Sequence, residues 1–166
     1  MTERTLALMR HGKSDYPSGV PDRDRPLAPR GVREAGLAGD WLRSALPPID
    51  LVLCSTAART RETFARTGLT APVRFVDRLY DAVPGTVIDE INKVDDDVTT
   101  LLVIGHEPVI SSVALGLADA AESNPAAADS ISTKFPTSAV AVLRTTASWR
   151  DLGLSGAALV TFHVPR

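Results

Sequence analysis

The sequence predicts an α/β fold, a single three-layer domain over residues 1–166 with a mostly parallel central sheet flanked by helices. Two observations carry that expectation. Short apolar runs alternate with longer segments of helical period, and no repeat, linker or shift in composition divides the chain. A chain of 166 residues is long enough to bury a proper core without staples.

Taken in order, residues 6–9 form a first apolar strand, followed by a connection rich in proline. Residues 31–46 place Ala35, Ala38, Trp41, Leu42 and Ala45 at helical spacing, and Pro47-Pro48 stops that helix. Residues 51–54 read as a second buried strand, 57–67 as a helix closed by Gly68, and 73–76 as a short third strand. Residues 101–104 are a fourth strand. A helix over about 109–121 fades into the small-residue loop "ESNPAAADS", and two late strands occupy 139–143 and 158–162.

Eighteen basic and 20 acidic side chains leave a formal charge of -2, so there is no general field to recruit nucleic acid or an anionic membrane. Any anion site has to be built locally from a few placed arginines. The single cysteine, Cys54, excludes an internal disulfide and a cysteine-rich metal site, and in "LVLCS" it reads as a buried, inert thiol. With no basic-then-apolar leader and no apolar run near the roughly 20 residues of a membrane helix, a cytoplasmic protein is expected.

The "GKS" of "LMRHGKSD" looks like the end of a nucleotide-binding P-loop, but that motif requires a glycine five positions before Gly12, where the chain has Ala7. Pro17 and Pro21 also oppose a helix growing directly behind the loop. What remains is Arg10-His11-Gly12 at the end of the first strand. The second strand ends in Ser55 with Arg59 one helical turn on, and the fourth in Gly105-His106-Glu107-Pro108. In open α/β sheets the binding crevice lies beyond the carboxyl ends of the strands, so these residues converge there. Two arginines and two histidines around one point make a cage for a dianionic phosphoryl group.

These motifs resemble the histidine phosphatase superfamily, with its phosphoglycerate-mutase-like fold, over nearly the whole chain. The resemblance rests on "LMRHGKS", "DRPLAPRG", "CSTAARTRET", "RLYDA", "VIGHEP" and "KFPTSAVAVL", in that order and mostly behind apolar strands. Compact length, "HGKS", "DRPL" and "FPT" are most similar to the short phosphohistidine phosphatases of the SixA type. The resemblance implies that His11 is a nucleophile forming a phosphohistidine intermediate, with Arg10, Arg59 and His106 on the phosphoryl oxygens and Gly12 letting the backbone turn close to them. It implies a phosphorylated protein or small phosphorylated substrate, inorganic phosphate as product, and no metal or other cofactor.

Family members that cleave phosphate monoesters usually carry a glutamate after the third strand, because a departing alkoxide needs a proton. Here the nearest match is Asp81, one methylene shorter. An imidazole leaves more easily, which tilts the expectation towards a phosphohistidine substrate. Hydrolysis of small monoesters, phosphoserine or phosphothreonine with Asp81 as acid is the alternative, and a non-catalytic phosphoprotein-binding module the second. Lys13 and Ser14 stand beside the pocket and read equally well as phosphate contacts or as a solvated lysine and a turn serine. Arg23 and Arg25 read more readily as loop solvation than as binding groups, although a loop at the mouth of the pocket could use them to receive an acidic partner; Glu62 reads as the partner of Arg59 or Arg66 in a surface ion pair, and His163, Trp41 and Trp149 as structural.

Overall fold

A computed structural model describes residues 2–166. Its sheet has six strands: β1 (Arg4–Arg10), β2 (Leu51–Ser55), β3 (Val73–Val76), β4 (Thr100–Gly105), β5 (Val140–Thr145) and β6 (Ala158–His163). Their order is β3-β2-β4-β1-β5-β6. The first four are mutually parallel; β5 runs antiparallel to β1, and β6 antiparallel to β5. The helices are α1 (Pro29–Ala45), α2 (Ala58–Thr67), α3 (Pro84–Asn92), α4 (Val109–Leu117) and α5 (Pro125–Thr133).

Both sheet faces are covered, which is why the central strands read as unbroken apolar runs instead of alternating ones. Ala7, Met9, Val52, Cys54, Leu102 and Ile104 pack with Ala38 and Leu42 of α1. Leu6, Leu8, Leu53, Leu101 and Val103 pack on the opposite face with Val87 and Ile91 of α3, Ile110 and Val113 of α4 and Ile131 of α5. Cys54 is fully buried, and burial pushes its thiol up to about 12, so it is a packing group with little thiolate character.

Three helices depart from the sequence expectation. The stretch "ESNPAAADS" is no loop: it starts α5, where the Asn124 side chain accepts the backbone N–H groups of Ala126 and Ala127 and Pro125 occupies the first turn. Asparagine followed by proline is a helix-start signal outweighed in the reading by the small residues. Helix α3 has no counterpart in the sequence reading, and Val87 and Ile91, one turn apart, supply its buried stripe. In the other direction α4 ends at Leu117, short of residue 121.

The loop after β1 is clamped between α1, α2 and β4. The His11 N–H donates to the Gly105 carbonyl at 3.0 Å, the Gly12 N–H to Thr63 Oγ1 at 2.8 Å, and the Ala28 N–H to the Lys13 carbonyl at 2.8 Å. Gly31, in the first turn of α1, lies so close that an added Cβ would sit 2.1 Å from the Lys13 carbonyl oxygen. Helix propensity alone favours alanine there by about 1 kcal/mol. Because the obstacle is backbone and no rotamer relieves it, we expect Gly31→Ala to cost about 1–3 kcal/mol instead. A urea midpoint at or above that of the wild type would show that the loop yields.

Candidate active site

Register brings the chemistry together. Arg10 pairs with Gly105 across β1 and β4, and Cys54 with Ile104 across β2 and β4. The residues that follow, His11, Ser55 and His106, therefore emerge side by side from neighbouring parallel strands about 4.8 Å apart. The two imidazole rings stand 5.3 Å apart between centroids.

His11 is buried, and its Nδ1 lies 2.7 Å from the carbonyl oxygen of Gly12. A carbonyl only accepts, so Nδ1 carries the proton and donates, leaving the lone pair on Nε2. Burial, reinforced by the charges around it, lowers its pKa to about 3. The Nε2 of His106 lies 2.8 Å from Ser55 Oγ, which itself accepts the Ala57 N–H. When the Ser55 hydroxyl donates to Nε2, the imidazole proton sits on Nδ1, a buried atom with no partner among the described residues. Burial first, then Arg59, lowers the His106 pKa to about 4.

These shifts make a stability prediction. Both groups have folded pKa values below the ordinary 6.5, so between pH 6.5 and about 4 the unfolded chain binds two protons that the folded chain refuses. Stability is fully present above 6.5 and falls as the pH drops, by up to about 2.7 kcal/mol per pH unit. We expect the urea midpoint to fall steeply from pH 7 to pH 5, and His11→Ala/His106→Ala to flatten that slope. A wild-type midpoint constant over this range would contradict the burial of two neutral imidazoles.

The guanidinium of Arg10 donates to the Phe135 carbonyl at 2.9 Å, which fixes it beside the segment leading into β5. Arg59, 7% exposed, donates through Nη1 to the Asp22 carbonyl at 2.8 Å and through Nη2 to Asp22 Oδ2 at 3.1 Å. Asp22 also accepts the Tyr80 hydroxyl at 2.6 Å and Arg25 Nε at 3.1 Å. The Tyr80 hydroxyl, with Arg59 and Arg25, holds the Asp22 carboxyl at about 2. Asp22 and Tyr80 were missed in the sequence. Nothing in "PDRDRP" distinguishes Asp22 from Asp24, because its partners Arg59 and Tyr80 lie 37 and 58 residues away.

Arg10, His11, Lys13, Ser14, Arg59 and His106 line one cavity of about 200 Å³, together with Tyr16, Arg25, Glu107 and Thr137. Arg25 thus lies at the pocket, its Nη1 donating to Ser14 Oγ at 3.0 Å, the less favoured of its two sequence expectations. Arg23 pairs with Asp77 away from it. Gly12 does not line the cavity. Its N–H is taken by Thr63, and its missing Cβ makes room for the Gly31 carbonyl, 3.0 Å from where that carbon would sit. Asp81, at φ 54°, faces a second cavity next door. The expected ion pair of Glu62 is replaced by a hydrogen bond from the Leu27 N–H, while Trp41 stacks on His163 at 4.4 Å.

The family model described as the histidine phosphatase superfamily, branch 1, matches residues 6–90, just over half of the chain. The chain belongs to the histidine phosphatase superfamily. An uncharacterized Mycobacterium tuberculosis protein is 61% identical over 158 residues, which cover 95% of this chain and all of its own. An uncharacterized Mycobacterium leprae protein is 57% identical over 162 residues with the same coverage. Among solved structures, a proposed SixA phosphohistidine phosphatase from Nakamurella multipartitia aligns with TM-score 0.90 and 43% identity, covering 99% of this chain and 98% of its own. A proposed SixA from Agrobacterium tumefaciens aligns at 0.78 and 26%, covering 98% and 99%. This histidine phosphatase accordingly has the phosphoglycerate-mutase-like fold and is a phosphatase of the SixA type. No helix among the described residues is long and apolar enough to cross a membrane.

Proposed function

We propose that this phosphatase hydrolyses phosphohistidine in a protein substrate through a covalent phosphohistidine on His11, releasing inorganic phosphate. The observation that carries the reading is the pairing of a neutral, buried nucleophile with a cavity that holds no free acid. The one carboxylate on the wall beside His11, Glu107, accepts the Ser111 N–H at 2.6 Å and its hydroxyl at 2.8 Å. Nε2 of His11 attacks phosphorus in line as the substrate P–N bond breaks and its electron pair returns to the departing ring. Water then attacks the phosphorylated His11, the second P–N bond breaks, and His11 regains its lone pair as phosphate leaves. Arg10 and Arg59 neutralise the equatorial oxygens, and His106 donates its unpartnered Nδ1–H as charge spreads. Lys13 and Ser14 stand at the rim to receive the substrate. The likeness to the Nakamurella protein supports the same substrate class.

A second reading, hydrolysis of phosphomonoesters with Asp81 as acid, is favoured by one observation: the cavity of Asp81 shares Arg59 and His106 with that of His11. Phosphate release from a phosphohistidine protein, a phosphoserine peptide and 4-nitrophenyl phosphate, in chelator, separates the two. We expect the phosphohistidine protein to be cleared far faster than either ester. Faster ester hydrolysis would transfer the assignment to monoesters.

A further inference from the structure

Two cavities of opposite charge meet at Arg59, His106 and Glu107. The cavity of His11 adds Arg10, Lys13 and Arg25, four cations against one carboxylate when Arg59 and Glu107 are counted. The second, of about 330 Å³, adds Tyr80, Asp81 and the apolar groups of Ala82, Pro108 and Val109, and Arg59 is its one cation against two carboxylates. A third carboxylate, Asp22, accepts the hydroxyl of Tyr80 behind that wall. Arg59 belongs to both, is more than nine-tenths buried, and has an Nε with no partner among the described residues. It is the hinge between a phosphoryl side and an acidic side. His11 lines the first cavity alone, so a phosphoryl group attacked by His11 and held by Arg59 turns its remaining substituent towards the second.

We propose that the Asp81 cavity is the leaving-group subsite and that it takes a protonated phosphoimidazole ring, whose distal N–H is accepted by the Asp81 carboxylate. This rests on the phosphohistidine reading above and explains how that substrate is cleaved without a general acid. When the distal ring nitrogen carries a proton, the electron pair of the breaking P–N bond returns to the ring and the ring departs as neutral imidazole, its proton still on the distal nitrogen. No proton has to be delivered to the atom that leaves. An unprotonated ring would depart as an anion, and an alkoxide would need a proton donor, a role opposite to accepting the ring N–H. The carboxylates of Asp81 and Glu107 stabilise the cationic ring and oppose any leaving group that carries a second phosphate or a carboxylate. Glu107 is pinned by Ser111 at the start of α4, so its charge is fixed in place. Asp81, exposed and in the left-handed region, is the adjustable one.

Three small donors test the subsite: N-phosphohistamine, N-phospho-4-methylimidazole and N-phosphoimidazole-4-acetate, which share the reacting ring and differ in side-chain charge. Each kcat/KM is divided by the donor's uncatalysed hydrolysis rate and followed with pH for wild type, Asp81→Asn and Asp81→Lys. Asparagine tolerates a positive φ, so Asp81→Asn preserves the backbone. Wild type is expected to prefer the histamine donor over the acetate donor by about tenfold or more, and Asp81→Asn to shrink that preference about tenfold. Asp81→Lys should reverse it, and the wild-type kcat/KM should fall as the substrate ring loses its proton. Equal use of the three donors, or a uniform slowing by Asp81→Asn, would overturn the subsite while leaving the phosphohistidine reading intact. Turnover of 4-nitrophenyl phosphate with none of the three phosphoimidazoles would overturn both.

Discussion

His11→Ala is expected to lose roughly 10⁴-fold or more in kcat and all capacity to trap labelled phosphate on the chain. The size follows from what the imidazole does. Its Nδ1–H is committed to the Gly12 carbonyl, and burial keeps the ring neutral down to about pH 3, so the attacking lone pair on Nε2 is present at every physiological pH. No other group at the site can take over. His106 Nε2 is engaged by Ser55, Cys54 is buried with its thiol pushed up to about 12, and the rest of the cavity is arginine, lysine, hydroxyl or the capped Glu107. Folding is a fair control, since losing a neutral imidazole from this position removes an acid-sensitive group and relieves the loss of stability at low pH. Single-turnover labelling with a phosphohistidine donor gives the reading. Retention of more than about a hundredth of the wild-type rate would place the nucleophile elsewhere and revive a binding module with incidental hydrolysis.

Arg59→Ala is expected to lower kcat by about 10³-fold with little change in thermal midpoint. The guanidinium spans two tasks: its terminal nitrogens hold Asp22, and the side chain lines both cavities. Arg59→Lys should recover little, because an ammonium cannot bridge the Asp22 carboxylate and a phosphoryl oxygen with a planar fork. Asp22 is exposed, so its loss of a partner costs little stability, and the effect falls on the loop carrying Asp22 and Arg25. A rise in KM with kcat unchanged would show instead that Arg59 binds substrate and transition state equally.

Much of the fold was legible because its signals are local. All six strands appear as short apolar runs, and α1, α2 and α4 appear through a stripe of apolar residues or a stop such as Pro47-Pro48 or Gly68. The helices that were missed or misread, α3 and α5, are nine residues long and rest on two buried side chains each, Val87 with Ile91 and Ala127 with Ile131. At that length helix formation depends on packing more than on propensity, and packing is not written in a nine-residue window.

By itself the sequence determined which residue types stand at the ends of β1, β2 and β4, since Arg10, His11, Arg59 and His106 follow apolar strands whose parallel pairing leaves their termini one geometric outcome. The tertiary structure decided what surrounds them. It brought Asp22 across 37 residues onto Arg59, turned Arg25 into the pocket, withdrew Gly12 from it and set Asp81 in a separate, acidic cavity. Those placements depend on how the loops around residues 15–28 and 77–83 close over the strand ends. Loop closure is settled by hydrogen bonds and ion pairs between residues far apart in the chain, a property that no single segment carries.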